Sequence, residues 1–265
     1  MIFFRRKKRE AFKGEGVPAG VRAYVIGDIH GRFDLLTALY KKIAADIAAN
    51  APASSMEVFL GDYVDRGPNS RDVVEWLIRT PAVTDERICL KGNHEEILLE
   101  CLKSHAAISG WRDLGGFETL YSYGVAPPVS GTPDDLRRAH HAFTTALPSD
   151  HVDFFRSLST SAELGSYLFV HAGINPGRKL DAQRSQDLLW IREPFLSSTL
   201  DFGRVVVHGH TPVEKPQVRN NRINIDTGAY ITGRLTCLVL EGDSRRFLRT
   251  GMSVRSGAAH VRSKL

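Results

Sequence analysis

The sequence has few cysteines and no long apolar run. Its 265 residues include three cysteines, Cys89, Cys101 and Cys237, and no two of them have the spacing of a zinc or redox site. We interpret them as buried, reduced thiols that act as small hydrophobic side chains. No apolar run is long enough to span a bilayer, and the basic start lacks the features of a secretory signal. These absences predict a cytoplasmic protein without a transmembrane segment.

Acidic residues are almost absent from the two ends of the chain. Residues 1–13 carry six basic residues and one acid, and residues 244–265 carry six basic residues and no acid. Between them stand 23 basic and 29 acidic residues, although the whole chain has a net charge of +5. Because a nucleic-acid binder carries its positive charge on a folded face, this distribution argues against nucleic acid. We interpret the basic N-terminus as a solvated tail, with a weak contact to an anionic membrane surface as the alternative.

Strand, polar loop and helix alternate three times in the first part of the chain. The predicted strands are Ala23–Ile26, Val58–Leu60 and Ile88–Leu90. Each precedes a polar loop and a segment with helical spacing, which is an α/β pattern in which the loops after the strands form the site. Residues 103–160 depart from this alternation, and we predict that they form a mostly helical insert that could cap the site. Later apolar runs predict strands at 167–170, 205–207, 223–225 and 235–240.

Five polar clusters follow predicted strands, and glycine stands beside almost every one. The clusters are Asp28 with His30, Asp62 with Asp65 and Arg66, Asn93 with His94, His171, and His208 with His210. Carboxylate, imidazole and amide donors suit divalent ions of intermediate hardness, such as manganese, iron or zinc. A carboxylate can bridge two ions, and two ions about 3.5–4 Å apart can hold one hydroxide and polarise a phosphoryl group.

These loops resemble the successive motifs of the serine/threonine protein phosphatase (PPP) and calcineurin-like metallophosphoesterase family. The matching strings are GDIHG at 27–31, GDYVDRG at 61–67, GNHE at 92–95, VHAG at 170–173 and GHT at 209–211. They occur in the family's order, which makes the set far more specific than any one of them. The strings LWIRE at 189–193 and IDTGA at 225–229 bring the chain nearest to bacterial and phage serine/threonine protein phosphatases.

The resemblance implies an α/β (α+β) metallophosphatase fold. That fold is a two-sheet β sandwich flanked by helices, with the mostly helical insert near residues 103–160. It implies a phosphoesterase domain over residues 21–242, between a basic N-terminal tail at 1–20 and a basic C-terminal tail at 243–265.

The resemblance also implies a centre of two divalent metal ions, with manganese expected first and iron or zinc as alternatives. The first ion would take Asp28, His30 and Asp62. The second would take Asp62, Asn93, His171 and His210, so that Asp62 bridges the two.

The remaining implied roles concern the substrate. His94 would be the general acid, held by Asp65 in a way that favours the protonated imidazole. Arg66 and Arg192, with Asn93, would bind the phosphate oxygens, because guanidinium forks match phosphate geometry.

Other polar residues near the motifs have more than one interpretation. His208 either supports a ligand histidine or is merely structural. Asp226 either accepts a hydrogen bond from a ligand histidine or caps a turn. We interpret Trp111 as a helix-packing residue rather than part of a substrate groove. Glu95 opens a helix, where an acid suits the helix dipole, and needs no catalytic role.

The function that the resemblance implies is hydrolysis of phosphate monoesters by direct attack of a metal-bridging hydroxide. We expect a phosphoprotein substrate (phosphoserine or phosphothreonine, and phosphotyrosine as well) or a small phosphate ester. A symmetrical diadenosine tetraphosphate hydrolase is the alternative, because the run HAGINP at 171–176 resembles that group too. A non-catalytic binding scaffold is the alternative of another class, and the intact set of polar residues counts against it.

Overall fold

The computed structural model describes residues 16–251. Within that range the strands are β1 (Val21–Ile26), β2 (Ser54–Phe59), β3 (Glu86–Cys89), β4 (Ser161–Leu164), β5 (Tyr167–Val170), β6 (Val205–His208), β7 (Gln217–Val218), β8 (Arg222–Asn224), β9 (Thr236–Glu241) and β10 (Ser244–Arg249). The α-helices are α1 (Phe33–Ala49), α2 (Ser70–Arg79), α3 (Asn93–Lys103), α4 (Ala107–Trp111), α5 (Gly116–Ser122), α6 (Pro133–Ala146), α7 (Ser149–Ser157), α8 (Ser185–Trp190) and α9 (Ala229–Thr232). The predicted membrane contact of the basic N-terminus lies outside the described residues.

The strands form two mixed sheets of five strands each. The first sheet has the order β10-β9-β1-β2-β3, in which β1, β2 and β3 are parallel. The second has the order β4-β5-β6-β8-β7, in which β5, β6 and β8 are parallel. Two sheets with flanking helices confirm the predicted fold class. Parallel strands in one sheet end at the same edge, which brings the loops that follow them together.

Alternation along β1 divides its side chains between two apolar layers. Ala23 and Val25 point into the layer between the sheets, together with Phe169 of β5. Tyr24 and Ile26 point to the other face, where helices cover the sheet. A strand that is buried on both faces needs apolar side chains at every position, so the sequence shows a continuous apolar run there.

Helices α4 to α7 occupy the segment that we predict as a helical insert. They pack against α2 and α3, on the helical side of the first sheet. Buried Trp111 of α4 contacts Phe143 of α6, with ring centroids 5.4 Å apart, and this pair belongs to the larger apolar core. The insert therefore extends the core and reaches the edge of the predicted site from one side.

The first sheet continues beyond the predicted domain boundary at residue 242. Strand β10 pairs antiparallel with β9 along its whole length. Residues 244–249, which we predict as the start of a basic tail, therefore form an edge strand that contains three arginines and two apolar residues. Residues 252–265 lie outside the described range.

None of the helices in residues 16–251 has the length and apolar character needed to cross a membrane.

Candidate metal centre and active site

The predicted site residues converge where the parallel strands end. The first sheet contributes Asp28, His30, Asp62, Asp65, Arg66, Asn93 and His94. The second contributes His171 and His210, from the loops after β5 and β6. All of these except Arg66 are buried. A cluster of buried polar groups is costly unless they are paired or bind a cation, so this cluster is the first candidate for function.

Asp62 lies at the centre of the cluster, between two groups of potential metal ligands. Its Oδ2 is 3.4 Å from Nε2 of His30 and 3.8 Å from Nε2 of His94. Its Oδ1 is 3.3 Å from Nε2 of His171, and His210 completes that second group. Because the two carboxylate oxygens face different groups, the geometry suits a carboxylate that bridges two cations.

Two of the histidines are oriented by backbone carbonyls. Nδ1 of His30 lies 2.9 Å from the carbonyl oxygen of Val64, and Nδ1 of His171 lies 2.9 Å from that of Leu60. A carbonyl can only accept a hydrogen bond, so Nδ1 carries the hydrogen in both rings. The lone pair of each Nε2 then points toward Asp62, as expected of imidazoles that ligate a metal.

Asn93 connects the histidines of the second group. Its Oδ1 is 2.9 Å from both Nε2 of His171 and Nδ1 of His210. It stands at the start of α3, where the backbone N–H of His94 donates to Oδ1 of Asp62 at 3.2 Å. Carboxylate, amide and imidazole donors thus meet at one point, a donor set that suits manganese, iron or zinc.

Asp28 has the environment of a metal ligand. Its Oδ2 accepts the backbone N–H of His210 at 2.9 Å, but its buried Oδ1 has no hydrogen-bond partner among the described residues. Burial and the nearby Asp226 carboxylate raise the pKa of Asp28 well above its usual value. Burial and Asp28 do the same for the pKa of Asp62. A divalent cation offsets the cost of keeping such carboxylates charged, so these residues fit a metal centre.

Backbone strain is concentrated in the same loops. The non-glycine residues with a left-handed backbone are His30, Asp62, Asp65, Arg66 and His210, with φ between 47° and 72°. Within residues 16–251 no other non-glycine residue has a positive φ. Such conformations cost about 1–3 kcal/mol each and persist only where the surrounding structure holds them. The strain is therefore associated with the candidate site and with no other part of the described fold.

His94, which makes up the first group together with His30 and Asp62, forms a short hydrogen bond with Asp65. Nδ1 of His94 is 2.6 Å from Oδ2 of Asp65. The other ring nitrogen, Nε2, accepts a hydrogen bond from Arg66 at 3.2 Å. The Arg66 guanidinium in turn lies over the ring of Tyr230, 4.7 Å from its centroid. The ring of His94 is thus fixed between a carboxylate and a cation at the edge of the metal-ligand cluster.

The electrostatic environment of His94 differs from the predicted one. Burial lowers the pKa of His94 to about 3, and the positive charge of Arg66 adds to the effect. Burial raises the pKa of Asp65 to about 7, against the hydrogen bonds from Thr119 and Trp111. Burial and the charge of Arg66 therefore oppose the protonated imidazole that we expect from the contact with Asp65.

Glu95 has a larger role than its place at a helix start suggests. Its buried carboxylate accepts the backbone N–H groups of Gly92 at 2.8 Å, Asp62 at 2.9 Å and Tyr63 at 2.8 Å. Burial raises the pKa of Glu95 to about 7, and these backbone donors oppose the rise. The side chain ties the start of α3 to the strained loop that carries Asp62. The sequence offers no signal for this contact, because an acid at a helix N-terminus is common on electrostatic grounds.

The two predicted phosphate-binding arginines come from different elements. Arg66 is half-buried in the loop after β2, and Arg192 is exposed just after α8. Burial lowers the pKa of His210 to about 4, with the charge of Arg192 as the next cause and that of Arg66 as a smaller one. The indole N–H of Trp190 donates to Glu96 at 2.6 Å, which joins the end of α8 to α3. Both cations therefore act on the second ligand group.

His208 and Asp226 make contacts outside the two groups of potential ligands. The buried ring of His208 donates from Nδ1 to the carbonyl of Gly209 at 3.1 Å, and its Nε2 lies 3.4 Å from Arg222. Oδ1 of Asp226 accepts the backbone N–H of Gly228 at 2.9 Å, which is a turn cap at the start of α9. Neither side chain belongs to the two groups of potential metal ligands found among the described residues.

The fold and the ligand cluster agree with comparisons against known proteins. Residues 21–233 match the family model for calcineurin-like phosphoesterases. The chain therefore belongs to the calcineurin-like phosphoesterase family and is a hydrolase of the metallophosphoesterase superfamily. Members of this family use a dinuclear divalent metal centre, and the two groups that share Asp62 are suited to hold one.

Similar proteins include named enzymes of this superfamily. The chain is 27% identical over 231 residues to the asymmetrical bis(5'-nucleosyl)-tetraphosphatase PrpE of Bacillus velezensis, covering 80% of this chain and 86% of that one. A solved structure described provisionally as a diadenosine tetraphosphatase has a TM-score of 0.61 at 20% identity, covering 89% of this chain and 100% of the other. A cold-active protein tyrosine phosphatase has a TM-score of 0.56 at 18% identity, covering 88% and 82%. The two solved structures support the fold.

Proposed function

We propose that this protein is a metal-dependent phosphatase that hydrolyses phosphate monoesters with poor leaving groups, with phosphorylated protein side chains as its first substrate class. The hydrogen bond of 2.6 Å between His94 and Asp65 carries this proposal. An alcohol or phenol oxygen must receive a proton as its bond to phosphorus breaks, so a positioned imidazole is useful for such esters.

The metal centre in this proposal uses the ligand sets predicted from the sequence. Asp28, His30 and Asp62 would hold one ion, and Asp62 with Asn93, His171 and His210 would hold the second. When bound, a pair of divalent ions supplies an activated water and neutralises charge on the phosphoryl group. Manganese is the first expectation, with iron and zinc as the alternatives.

Arg66 and Arg192 bind the phosphate oxygens in this proposal. Arg66 contacts Nε2 of His94 in the structure, which is the nitrogen that must face the leaving oxygen. A phosphate dianion competes for the guanidinium, and a bidentate contact with phosphate is stronger than one with a neutral imidazole. Substrate binding is thus expected to move Arg66 away from His94 and expose Nε2.

His94 acts as the proton donor once the phosphate is bound. Burial, and to a smaller extent the charge of Arg66, lowers the pKa of the free ring, and the negative charge of the bound phosphate opposes both by favouring a protonated imidazole. Asp65 keeps the ring in place by accepting from Nδ1. The proton then passes from Nε2 of His94 to the departing oxygen of the ester.

An asymmetrical dinucleoside tetraphosphatase is the second candidate. The relatives from Bacillus that carry this name, such as those of Bacillus velezensis and Bacillus subtilis, favour it. In that reaction the departing group is a phosphate chain, which is already a stable anion near neutral pH and needs less help from an acid. The His94–Asp65 pair therefore supports the monoester candidate more strongly. The same pair, together with the complete ligand set, counts against a non-catalytic scaffold.

A substrate panel tests the two candidates against each other. The manganese-loaded protein is assayed with phosphoserine, phosphothreonine and phosphotyrosine peptides, and with diadenosine tetraphosphate, and kcat/KM is compared. We expect the highest kcat/KM for a phosphopeptide. If diadenosine tetraphosphate is the better substrate and yields ATP and AMP, the second candidate replaces the first; two ADP would instead indicate the symmetrical reaction. Metal-free protein serves as the control for contaminating phosphatases.

A further inference from the structure

The Asp65 carboxylate accepts hydrogen bonds from the helical insert as well as from His94. The indole Nε1–H of Trp111, the last residue of α4, donates to Oδ2 at 2.7 Å. The hydroxyl of Thr119, in α5, donates to Oδ1 at 2.6 Å. Both side chains are fully buried, as is Asp65. The partner that holds the proposed acid is therefore itself held by two residues from another part of the chain.

The position of the Trp111 indole is set by close packing. The ring contacts Phe143 of α6. It also lies against Gly116, where an added Cβ would come within 2.3 Å of the ring atoms. A glycine at that position lets the indole reach Asp65 with its N–H directed at Oδ2. Packing and hydrogen bonding thus fix the same side chain.

Thr119 binds Asp65 through the backbone as well. Its Oγ1 accepts the N–H of Asp65 at 2.9 Å, and Oγ of Ser70 lies 3.0 Å away. Asp65 has a left-handed backbone with φ of 72°, a conformation that needs support from its surroundings. Thr119 therefore contacts both the main chain and the carboxylate of the residue that orients His94.

We propose that Trp111 and Thr119 are positioning residues for proton donation, acting through Asp65 on His94. Donors on both oxygens fix the plane of the Asp65 carboxylate, so that Oδ2 faces Nδ1 of His94 within the narrow range that proton transfer requires. Without them the carboxylate can rotate, and the imidazole loses its alignment with the leaving oxygen. This inference rests on the proposed function, because it assumes that His94 is the acid.

Replacement of Trp111 by phenylalanine tests the role of the indole N–H. Trp111→Phe keeps an aromatic ring in the core and removes the donor. We expect kcat for phenyl phosphate to fall by about 10- to 100-fold, the range typical for partners that orient a reactive side chain, and kcat for p-nitrophenyl phosphate to fall much less. Trp76→Phe is the matched control, since Trp76 packs on Tyr40 away from the site. That control should leave both rates unchanged.

A double-mutant cycle separates positioning from general damage to the fold. In a His94→Asn background, adding Trp111→Phe should have little further effect on phenyl phosphate, because the side chain being aligned is gone. An equal loss in both backgrounds, with metal content unchanged, would overturn the inference. Such a result would mean that Trp111 acts only through the stability or shape of the site.

Thr119 provides an independent test should the tryptophan variant fold poorly. Thr119→Val removes the hydroxyl at constant shape, and Thr119→Ser restores it. We expect the valine variant to show the same dependence on the leaving group as Trp111→Phe, and the serine variant to recover most of the wild-type rate on phenyl phosphate. If serine and valine variants behave alike, the hydroxyl has no positioning role and the inference is wrong. If His94→Asn itself shows no dependence on the leaving group, the proposed acid and this inference both fail.

Discussion

The loops after the parallel strands and the helical insert contribute to the site in different ways. Predicted metal ligands come from the loops and from the start of α3, and within the described residues every left-handed non-glycine residue lies in those loops. The insert, helices α4 to α7, contributes no residue to the two ligand groups. Its contribution is a buried apolar cluster and two side-chain donors, Trp111 and Thr119, to a single carboxylate.

The comparison shows that one part of the fold places the reactive groups and another part aligns them. Ligands at strand ends are placed by the sheets, which converge at one edge for topological reasons. Alignment of the acid pair requires contacts from outside the sheets, because the loop that carries Asp65 is strained and needs support. Changes in the loops should therefore abolish metal binding or catalysis, whereas changes in the insert should leave the metal ions bound and have smaller effects on hydrolysis.

The largest effect is expected for Asp62, which is shared by both ligand groups. Asp62→Asn weakens the binding of both ions, because it removes the charge that bridges them. We expect activity to fall to background on every ester, and metal content to fall with it. Chelation of the wild-type protein should have the same effect, with recovery on adding manganese. Full activity in metal-free protein would contradict the proposed metal centre.

The two histidines of the loop after β6 should differ sharply. His210 faces Asn93 and His171, so His210→Ala should lose the metal ion of the second group. His208 is buried against Phe195 and Arg222, so His208→Ala should keep both ions and lose only stability. Metal analysis of the purified variants distinguishes the two. Loss of metal from the His208 variant alone would reverse the assignment.

Replacement of His94 should slow hydrolysis most for esters that have poor leaving groups. His94→Asn retains a polar side chain and leaves the predicted metal ligands intact. We expect kcat for phenyl phosphate or a phosphopeptide to fall by about 10²- to 10⁴-fold, which is typical for loss of a general acid, and kcat for p-nitrophenyl phosphate to fall much less. Rates across a series of aryl phosphates measure this directly. A uniform loss at constant metal content would instead assign His94 to charge stabilisation.

The sequence predicts the strand-end loops well because local patterns determine them. Continuous apolar runs mark strands buried on both faces, and the polar residues that interrupt them have few roles other than function. The run at Tyr167–Val170 coincides with β5, and the run at Ala23–Ile26 covers the last four residues of β1. Family resemblance adds the order of the motifs, which the match over residues 21–233 supports.

The alignment of the acid pair could not be predicted, because it depends on contacts between distant segments. Trp111 is 46 residues from Asp65 along the chain, and in sequence it looks like a packing residue. In sequence, Glu95 likewise looks like an acid that merely suits the helix dipole. The sequence pattern also does not predict the edge strand β10. Its residues mix arginine with apolar side chains, and only the pairing with β9 makes it a strand. Each of these features depends on tertiary structure.

The smallest effect is expected where the insert contacts the backbone of the loop. Gly115 accepts the N–H of Arg66 at 2.9 Å through its carbonyl, and a Cβ at Gly115 would lie 2.7 Å from that same nitrogen. Gly115 also has φ of +87°, so Gly115→Ala strains its own backbone and pushes on Arg66. We expect a stability loss of about 1–2 kcal/mol from the left-handed alanine, and a modest rise in KM that is equal for all esters, because Arg66 binds the phosphate common to them.

Gly124→Ala is the matched control for this prediction. Gly124 also lies in the insert with φ of +77°, but no atom lies within 4 Å of its added Cβ. Both variants should lose stability from the left-handed alanine, Gly115→Ala more so because its Cβ presses on Arg66, and only Gly115→Ala should raise KM. Comparison with Trp111→Phe then separates two contacts of the insert: one supports the phosphate-binding arginine, and the other supports the acid pair. A dependence on the leaving group in Gly115→Ala would mean that the insert acts on the loop as a single unit, and that Arg66 and Asp65 cannot be perturbed separately.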